Sequence, residues 1–217
     1  NGAKETDLVC VTGDLGAAYM GLQLLEREKA VYYGQLSDLD KKIKEAKASG
    51  NDELVKNLQK KVNELNDFQP DFAGKEYLFQ RQLAPEARGD IKEKLEAAGI
   101  QPTAMMDISD GLSSELLHIC EQSNCGCRIF EKQIPIDYQT AVMAEEMNMN
   151  VTTCAMNGGE DYELLFTVPI GDHDKIKDIE GVKLIGHITK PELGKQLVAR
   201  DGNEFEIKAQ GWNPLKK

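Results

Sequence analysis

The pattern of apolar and polar positions changes its period several times along the chain. Residues 8–11 (Leu-Val-Cys-Val) form a short continuous apolar run, which is typical of a buried strand. A glycine-containing turn follows, and from Leu22 onward the apolar residues recur at helical spacing. Asp14 stands just before this predicted helix and belongs to a residue type that often caps helices. The pattern therefore predicts a strand, a turn and a helix capped by Asp14.

Residues 36–67 carry two runs of apolar residues that step by three and four positions. The turn signal at 48–51 (Ala-Ser-Gly-Asn) separates them, so we predict two short helices in an antiparallel hairpin, inserted at about residues 36–70. Each arm is too short to be stable alone in water, so the hairpin must dock on something. It fits a surface decoration or a partner-binding arm. The apolar positions of its narrow seam are Leu36, Leu39, Ile43, Ala46, Val55, Leu58, Val62 and Leu65.

The remaining elements mix strands and helices without a regular βαβ repeat. We therefore expect an α+β fold, in which a mixed β-sheet is packed by helices and carries the inserted helical hairpin, rather than a doubly wound sheet. The further predicted elements are a helix over about 84–98 closed by Gly99, a strand ending at Met105-Met106, a helix over 112–120, an edge strand over 126–136 that ends at Pro135, a helix over 138–148, strands in EDYELLFTVP and VKLIGHITK with a short helix between them, and a hairpin in LVARDGNEFEIK.

The charge of the chain narrows its possible partners. The formal charge is −11, with 41% hydrophobic and 29% charged residues. This acidity argues against nucleic acid as the main partner, because neutralising phosphates needs clustered Lys and Arg. It suits cation binding and plain solubility equally well. No apolar run of about 18 residues is present, so a membrane span is not predicted.

The cysteines and the first residues indicate the context of the chain. No pair of Cys-x-x-Cys motifs occurs, so a structural zinc site is not expected. Free thiols fit a reducing compartment, and we expect a cytoplasmic protein. The chain starts Asn-Gly-Ala-Lys without Met, shortly before the first predicted strand, as the middle of a longer protein cut at a domain boundary would. The five cysteines are Cys10, Cys120, Cys125, Cys127 and Cys154.

The stretch from Asp107 to Gly111 (Asp-Ile-Ser-Asp-Gly) stands where a predicted strand gives way to a helix. Asp110 or Ser109 could cap that helix, but Asp107 lies before the cap and gains little from it. Two carboxylates and a hydroxyl at such a turn also suit Mg²⁺, which binds through few carboxylates plus phosphate oxygens and water. Free amides at a helix start favour phosphates too. A helix cap and a metal and phosphate site are both open interpretations of this turn.

A second acidic stretch occupies residues 157–166 (Asn-Gly-Gly-Glu-Asp-Tyr-Glu-Leu-Leu-Phe). In strand register Asp161 and Glu163 share one face, and Glu160 and Tyr162 share the other. The two glycines permit a close backbone approach or an unusual turn. Three acids within four residues at the head of an apolar strand are costly to bury. A functional loop is therefore favoured over a loop that is acidic by accident.

Two further stretches are weaker candidates for a site. Residues 12–16 (Thr-Gly-Asp-Leu-Gly) could form a phosphate loop, but they lack the lysine of a P-loop, and a tight turn explains them as well. Trp212 is the only tryptophan and lies in the C-terminal GWNPL. It could serve packing, or stack on a flat ring of a ligand.

Five segments together carry a resemblance to a known family. They resemble the C-terminal half of the thiamine-monophosphate kinases, within the aminoimidazole ribonucleotide synthetase-like superfamily of ATP-dependent enzymes. The resemblance covers about residues 3–34 and 78–217. Asp-Ile-Ser-Asp-Gly-Leu is shared in some form across the superfamily, whereas Gly-Gly-Glu-Asp-Tyr-Glu-Leu is much more particular to these kinases. The segments are VTGDLGAAYMGLQLL, AMMDISDGLSSELLHI, NGGEDYELLFTVP, IGHIT and GWNPL.

The resemblance implies a reaction and a set of site residues. It implies transfer of the γ-phosphoryl group of ATP to thiamine monophosphate, which gives thiamine diphosphate. Asp107 and Asp110 would then bind Mg²⁺, and Ser109 would contact ATP. Glu160 would contact the thiamine substrate, and Trp212 matches a C-terminal aromatic residue that stacks near it.

The resemblance also implies a domain organisation. Residues 1–217 would be the C-terminal domain of the aminoimidazole ribonucleotide synthetase-like fold, with a hairpin longer than the family usually carries. The N-terminal ATP-binding domain, which brings further metal ligands and most of a homodimer interface, would be absent from this chain. We therefore expect the full-length protein to be a homodimer and this chain alone to be inactive.

Two other functions are compatible with parts of the sequence. One is another ATP-dependent enzyme of the same superfamily, against which the Gly-Gly-Glu-Asp-Tyr-Glu stretch speaks. The other is a non-catalytic interaction module that uses the helical hairpin as its working surface. An assay that depends on ATP and Mg²⁺ separates the kinase from the module.

Overall fold

A mixed β-sheet is the centre of the computed structural model, which describes residues 2–67, 70 and 72–209. The strands found in these residues are β1 Leu8–Thr12, β2 Ala104–Ile108, β3 Gly126–Phe130, β4 Glu163–Val168, β5 Val182–Thr189, β6 Lys195–Val198 and β7 Glu204–Glu206. Their spatial order is β2-β4-β1-β5-β3-β6-β7. Neighbouring strands pair antiparallel, apart from β3 and β6, which are parallel.

Helices pack around this sheet, as the expected α+β fold requires, and that prediction is confirmed. No helix among the described residues is both long enough and apolar enough to cross a membrane. Short 3₁₀ turns occur at Glu131–Gln133, Ile170–Asp172 and Pro191–Leu193. The α-helices in the described residues are α1 Ala17–Ala48, α2 Asp52–Asp67, α3 Glu76–Leu83, α4 Gly89–Ala97, α5 Leu112–Ser123, α6 Tyr138–Glu146, α7 Val151–Asn157 and α8 His173–Ile176.

The β1 strand is covered on both faces. Val9 and Val11 belong to one buried apolar cluster, which also contains side chains of α5. Leu8 and Cys10 belong to a second cluster, which contains side chains of α4. Successive side chains of a strand point to opposite faces. A strand buried on both faces must be apolar throughout, which explains the continuous run of apolar residues.

The β3 strand lies inside the sheet, so the predicted edge position of residues 126–136 is wrong. Gly126–Phe130 pairs with β5 on one side and with β6 on the other. The strand ends at Phe130, before a 3₁₀ turn, so Pro135 lies outside the ladder and imposes no edge. In the described part of the chain the edges are β2 and β7.

Two helices differ from their predicted extents. The first arm of the hairpin is no separate short helix, because α1 runs unbroken for 32 residues. Between residue 22 and its end only Gly34 weakens the helical pattern, and one glycine costs only about 1 kcal/mol. The helix predicted over 84–98 begins instead at Gly89. Pro85 disfavours helical geometry at the residue before it, and it separates α4 from α3.

Leu22–Glu76 forms a compact unit of its own, distinct from the unit that contains the sheet. The turn between α1 and α2 closes as a Schellman motif. The Asn51 amide donates to the Ala46 carbonyl at 3.0 Å, and the Gly50 amide donates to the Lys47 carbonyl at 3.2 Å. The predicted apolar seam is confirmed at seven of its eight positions: Ile43, Ala46, Leu58 and Val62 are buried, and Leu36, Leu39 and Val55 pack against them. Leu65 is half-buried and lies outside this cluster.

Removal of one seam side chain should weaken the hairpin. Leu58 is 7% exposed, and we expect Leu58→Ala to lower the free energy of unfolding of α2 by about 2 kcal/mol or more, because it leaves a cavity. Amide hydrogen exchange of α2 measures the effect. The control Leu54→Ala lies in the same helix at 44% exposure and should change it by no more than about 0.5 kcal/mol. Equal losses in the two variants would contradict a buried seam.

Candidate functional site

Three of the candidate segments meet at one end of the sheet. Since β4 is antiparallel to both β1 and β2, it begins where those two strands end. Val11 near the end of β1 pairs with Leu165, and Ile108 at the end of β2 pairs with Glu163. The turn after β1, the turn after β2 and the loop before β4 are therefore neighbours.

Backbone contacts lock the loop before β4 onto the turn after β2. The Glu160 amide donates to the Ser109 carbonyl at 2.8 Å, and the Tyr162 amide donates to the Ile108 carbonyl at 2.9 Å. A Cβ atom on Gly159 would stand 2.5 Å from the Ser109 carbonyl oxygen, so only glycine fits there. The close approach predicted for the paired glycines is confirmed.

Neither aspartate of the turn after β2 caps a helix. The N-cap of α5 is Gly111, with φ of +106° and no side-chain cap, so the interpretation of Asp110 or Ser109 as the cap is wrong. Instead Glu115, one turn into the helix, accepts from the Asp110 amide at 3.1 Å. Asp107 and Asp110 are both exposed. Neither of them forms an ion pair with Lys or Arg within the described residues, so both carboxylates are free to meet a ligand.

Glu160 stands beside these two aspartates. Its carboxylate accepts a hydrogen bond from the Tyr162 hydroxyl at 3.0 Å. The pKa of Tyr162 is raised, first by that hydrogen bond and then by the negative charges of Glu160, Asp107 and Asp110. The three acids named from the sequence therefore act on one phenol and form one acidic surface. Ser109 lies between the two aspartates in the same turn.

Asp161 points the other way, into the protein. It is 1% exposed and accepts from the Gly16 amide at 2.8 Å and the Ala18 amide at 3.3 Å. It therefore holds the start of α1, and the N-cap predicted at Asp14 is wrong. Burial raises the pKa of Asp161 to about 7, partly offset by the Gly16 amide and by the charge of Arg81.

Glu163 is buried and meets two arginines, and we call Glu163, Arg81 and Arg88 the Glu163 clamp. The Glu163 side chain is 2% exposed. It accepts from Arg81 at 2.8 Å and from Arg88 at 2.6 Å, and the Thr12 hydroxyl donates to it as well. The sequence reasoning missed both arginines. The cost of burying an acid at the head of an apolar strand was a signal that some cation must meet it.

The turn at residues 12–16 is a structural turn, in which the Gly13 amide donates to the Gly181 carbonyl at 2.9 Å and the Leu15 amide to the Pro135 carbonyl at 3.0 Å. Asp161 accepts from Gly16 in this turn, so the phosphate-loop interpretation loses that donor. The Tyr77 hydroxyl donates to the Asp14 carboxylate at 2.6 Å. Trp212, the predicted stacking residue, lies outside the described residues.

The described residues limit how the acidic surface could hold a metal ion. In the part of the chain that the structure describes, no three His, Cys, Asp or Glu side chains are grouped so that they could hold a metal ion. An ion bound there would draw on one or two carboxylates and fill its other positions with water or phosphate oxygens. Mg²⁺ binds through few carboxylates plus water and phosphate oxygens, and Asp107 and Asp110 are the residues of the turn after β2 that could supply such carboxylates.

Sequence comparisons match this chain to a known family. Residues 58–195 match the family model described as AIR synthase related protein, C-terminal domain. The thiamine-monophosphate kinase of Buchnera aphidicola subsp. Schizaphis graminum is 30% identical over 217 residues, 97% of this chain and 53% of that protein. The thiamine-monophosphate kinase of Aquifex aeolicus is 27% identical over 201 residues, 88% of this chain and 52% of that protein.

Solved structures resemble the whole described fold. AaThiL complexed with AMPPCP and TMP has a TM-score of 0.67 at 26% identity, covering 99% of this chain and 53% of that chain. E. coli HypE, a hydrogenase maturation protein, has a TM-score of 0.58 at 14% identity, covering 98% of this chain and 52% of that chain. At this identity the likeness shows the fold alone. The chain spans about half the length of the curated relatives it matches. Because the model of the C-terminal domain matches more than half of its residues, the chain belongs to the AIR synthase related proteins.

Proposed function

We propose that this chain is the C-terminal part of a kinase that transfers the γ-phosphoryl group of ATP to thiamine monophosphate, giving thiamine diphosphate. The observation that carries the proposal is the joining of two acidic turns at one end of the sheet. Asp107, Asp110 and Glu160 are all exposed there, and none of them is paired with Lys or Arg among the described residues. The kinases named above, with sequence identities of 27–30%, support the choice of reaction.

The proposal divides the acidic surface into two parts. Asp107 and Asp110 bind Mg²⁺, and Ser109 between them contacts the phosphates of ATP. Glu160, on the neighbouring loop, contacts the cationic thiazolium or the aminopyrimidine of thiamine monophosphate. Trp212 stacks near the same substrate. AaThiL, the relative solved with AMPPCP and TMP, supports the pairing of a nucleotide with this substrate.

Phosphoryl transfer is mainly a matter of positioning and charge neutralisation. When bound, Mg²⁺ supplies the neutralisation of the phosphate charge. The chain itself supplies fixed geometry: Glu115 ties the Asp110 amide at 3.1 Å, and the Tyr162 hydroxyl orients the Glu160 carboxylate at 3.0 Å. The Asp110 backbone and the Glu160 carboxylate are therefore held by protein contacts before a ligand arrives.

The remainder of the site is proposed to come from outside these residues. The relatives are about twice as long as the part that this chain matches. We assign the other metal ligands, much of the ATP site and the homodimer interface to an N-terminal domain. On this proposal the 217-residue chain binds substrates poorly and does not turn over alone, and addition of the missing domain restores formation of thiamine diphosphate.

Loss of the Asp110 charge should affect catalysis and leave the fold intact. In a full-length protein that contains this chain, we expect Asp110→Asn to lower kcat by roughly two orders of magnitude or more, as loss of a key electrostatic group does. The melting temperature should stay the same or rise, because the variant relieves crowding of like charges. The assay measures thiamine diphosphate formation across a Mg²⁺ titration.

The matched control is Asp178→Asn, which removes a carboxylate from another exposed position. It should leave kcat and the Mg²⁺ requirement unchanged. Near-normal turnover of Asp110→Asn at saturating Mg²⁺ would remove Asp110 from the metal site.

A change at Glu160 should separate substrate binding from metal binding. Glu160→Gln should lower kcat/KM for thiamine monophosphate by roughly ten- to 150-fold, because a lost charge-assisted hydrogen bond is worth about 1.5–3 kcal/mol. The Mg²⁺ dependence should stay intact. The loop itself is held by the Glu160 amide rather than by its side chain, so the melting temperature should not change.

The two KM values and the melting curve of one purified variant decide this point. Equal losses for ATP and thiamine monophosphate, with a lowered melting temperature, would show that Glu160 only supports the turn. Tyr162→Phe is a useful companion, because it removes the hydroxyl that orients Glu160 and keeps the carboxylate. Tyr162→Phe should also lower kcat/KM for thiamine monophosphate, by a smaller factor than Glu160→Gln.

A further inference from the structure

The loop that carries Glu160 has a backbone conformation that needs support. Glu160 and Tyr162 have φ values of +69° and +51°. Residues with a side chain other than Asn or Asp rarely adopt such values. A residue keeps such a strained backbone conformation only where several surrounding contacts fix it. The contacts that do so here should therefore also decide where the Glu160 carboxylate stands.

Besides the backbone bonds of Glu160 and Tyr162 to the turn after β2, acidic residues supply contacts from the buried side of the loop. Asp161 lies between the two positive-φ residues and binds the amides at the start of α1. Glu163 follows directly after the loop as the first residue of β4 and receives both arginines of the Glu163 clamp. Glu160 and Tyr162 face solvent. Asp161 and Glu163, which point inward, thus fix the backbone from which Glu160 and Tyr162 point into solvent.

Arg81 joins the parts of this arrangement. One of its terminal nitrogens donates to Glu163 at 2.8 Å, and the other donates to the Asp14 carbonyl at 3.0 Å and lies 4.0 Å from the Asp161 carboxylate. A guanidinium presents several donors in one rigid plane, so these contacts set one position for it. Arg88 reaches the second oxygen of Glu163 from the segment just before α4.

We propose that Glu163, held by Arg81 and Arg88, is a positioning residue for the proposed reaction. It sets the conformation of residues 158–162, and through them the place of the Glu160 carboxylate, without touching a substrate itself. The effect on catalysis rests on the proposed function, whereas the effect on the loop does not. The substitution Glu163→Gln tests both, because it puts an amide group against an arginine donor and breaks one side of the clamp.

Hydrogen exchange of the 217-residue chain tests the loop directly. The amides of Glu160 and Tyr162 are bonded to the turn after β2. In Glu163→Gln we expect both to exchange at least about tenfold faster, relative to the core amides of β1, as loss of a charge-assisted hydrogen bond allows. The control is Leu95→Ala, which removes a side chain of α4 that is 2% exposed and lowers stability without touching the clamp.

The control defines the outcomes of the exchange experiment. Leu95→Ala should leave the exchange of the Glu160 and Tyr162 amides unchanged relative to β1. If the relative exchange in Glu163→Gln rises no more than in this control, the proposal is overturned. If Glu163→Gln does not fold, Arg88→Lys takes its place, because lysine keeps the charge and loses the planar fork. Unchanged exchange in Arg88→Lys then overturns the proposal equally.

Kinetics of a full-length protein containing this chain test the catalytic consequence. Glu163→Gln should raise KM for thiamine monophosphate at least about tenfold, because a displaced contact group loses its hydrogen bond. KM for ATP should rise less than KM for thiamine monophosphate, because the Asp110 amide keeps its bond to Glu115 when the loop loses its bonds to Ser109 and Ile108. Leu95→Ala should leave both KM values unchanged below its melting temperature.

A parallel rise of both KM values, or a fall of kcat alone, would overturn the positioning of Glu160 by Glu163. A parent protein with no kinase activity would instead overturn the proposed function. The exchange experiment then decides the role of the Glu163 clamp by itself, so the two failures are distinguishable.

Discussion

The antiparallel pairing of β4 with β2 on one side and with β1 on the other is the constraint on which the site depends. It brings the ends of two strands to the start of a third. Thr12 and Glu163 are 151 residues apart in sequence and share a hydrogen bond. No local preference of either segment could produce that contact. The acidic surface exists because the sheet has this strand order.

The acids at this end of the sheet have two distinct tasks. Asp161 and Glu163 face inward, where an unpaired charge is very costly, and each is matched by amides or arginines. Asp107, Asp110 and Glu160 face solvent and keep no cation within the described residues. A buried pair contributes little net stability, but it fixes geometry. The inward acids supply the frame, and the outward acids supply the charge that a metal ion or a cationic substrate would meet.

Within the described residues, the helical hairpin is held together by apolar contacts and a turn, and not by buried ion pairs like those of the site. Its arms share an apolar seam and a Schellman turn at Gly50, and Leu22–Glu76 forms its own compact unit. None of the residues proposed for the reaction lies in it. Helix α1 begins in the unit that contains the sheet and continues into Leu22–Glu76, where it forms the first arm of the hairpin.

The local pattern determined much of the fold, and only the tertiary structure decided the rest. The apolar run of β1, the Asp-Gly hairpin of β6 and β7 and the helix end at Gly99 follow from periodicity and turn chemistry within a few residues, and the structure has them. The sequence also identified Asp110 and Glu160 as candidate site residues, because each belongs to a short acidic motif that can be recognised without knowledge of the fold.

Contacts between residues far apart in the chain could not be predicted from the sequence. Nothing near Asp161 in the sequence indicates that it, rather than Asp14, holds the start of α1, and nothing near Glu163 indicates Arg81 or Arg88. The interior position of β3 was missed for the same reason. Helix and strand periods report the preferences of neighbouring residues, whereas caps from distant loops, buried ion pairs and strand order depend on which surfaces meet once the apolar faces are buried.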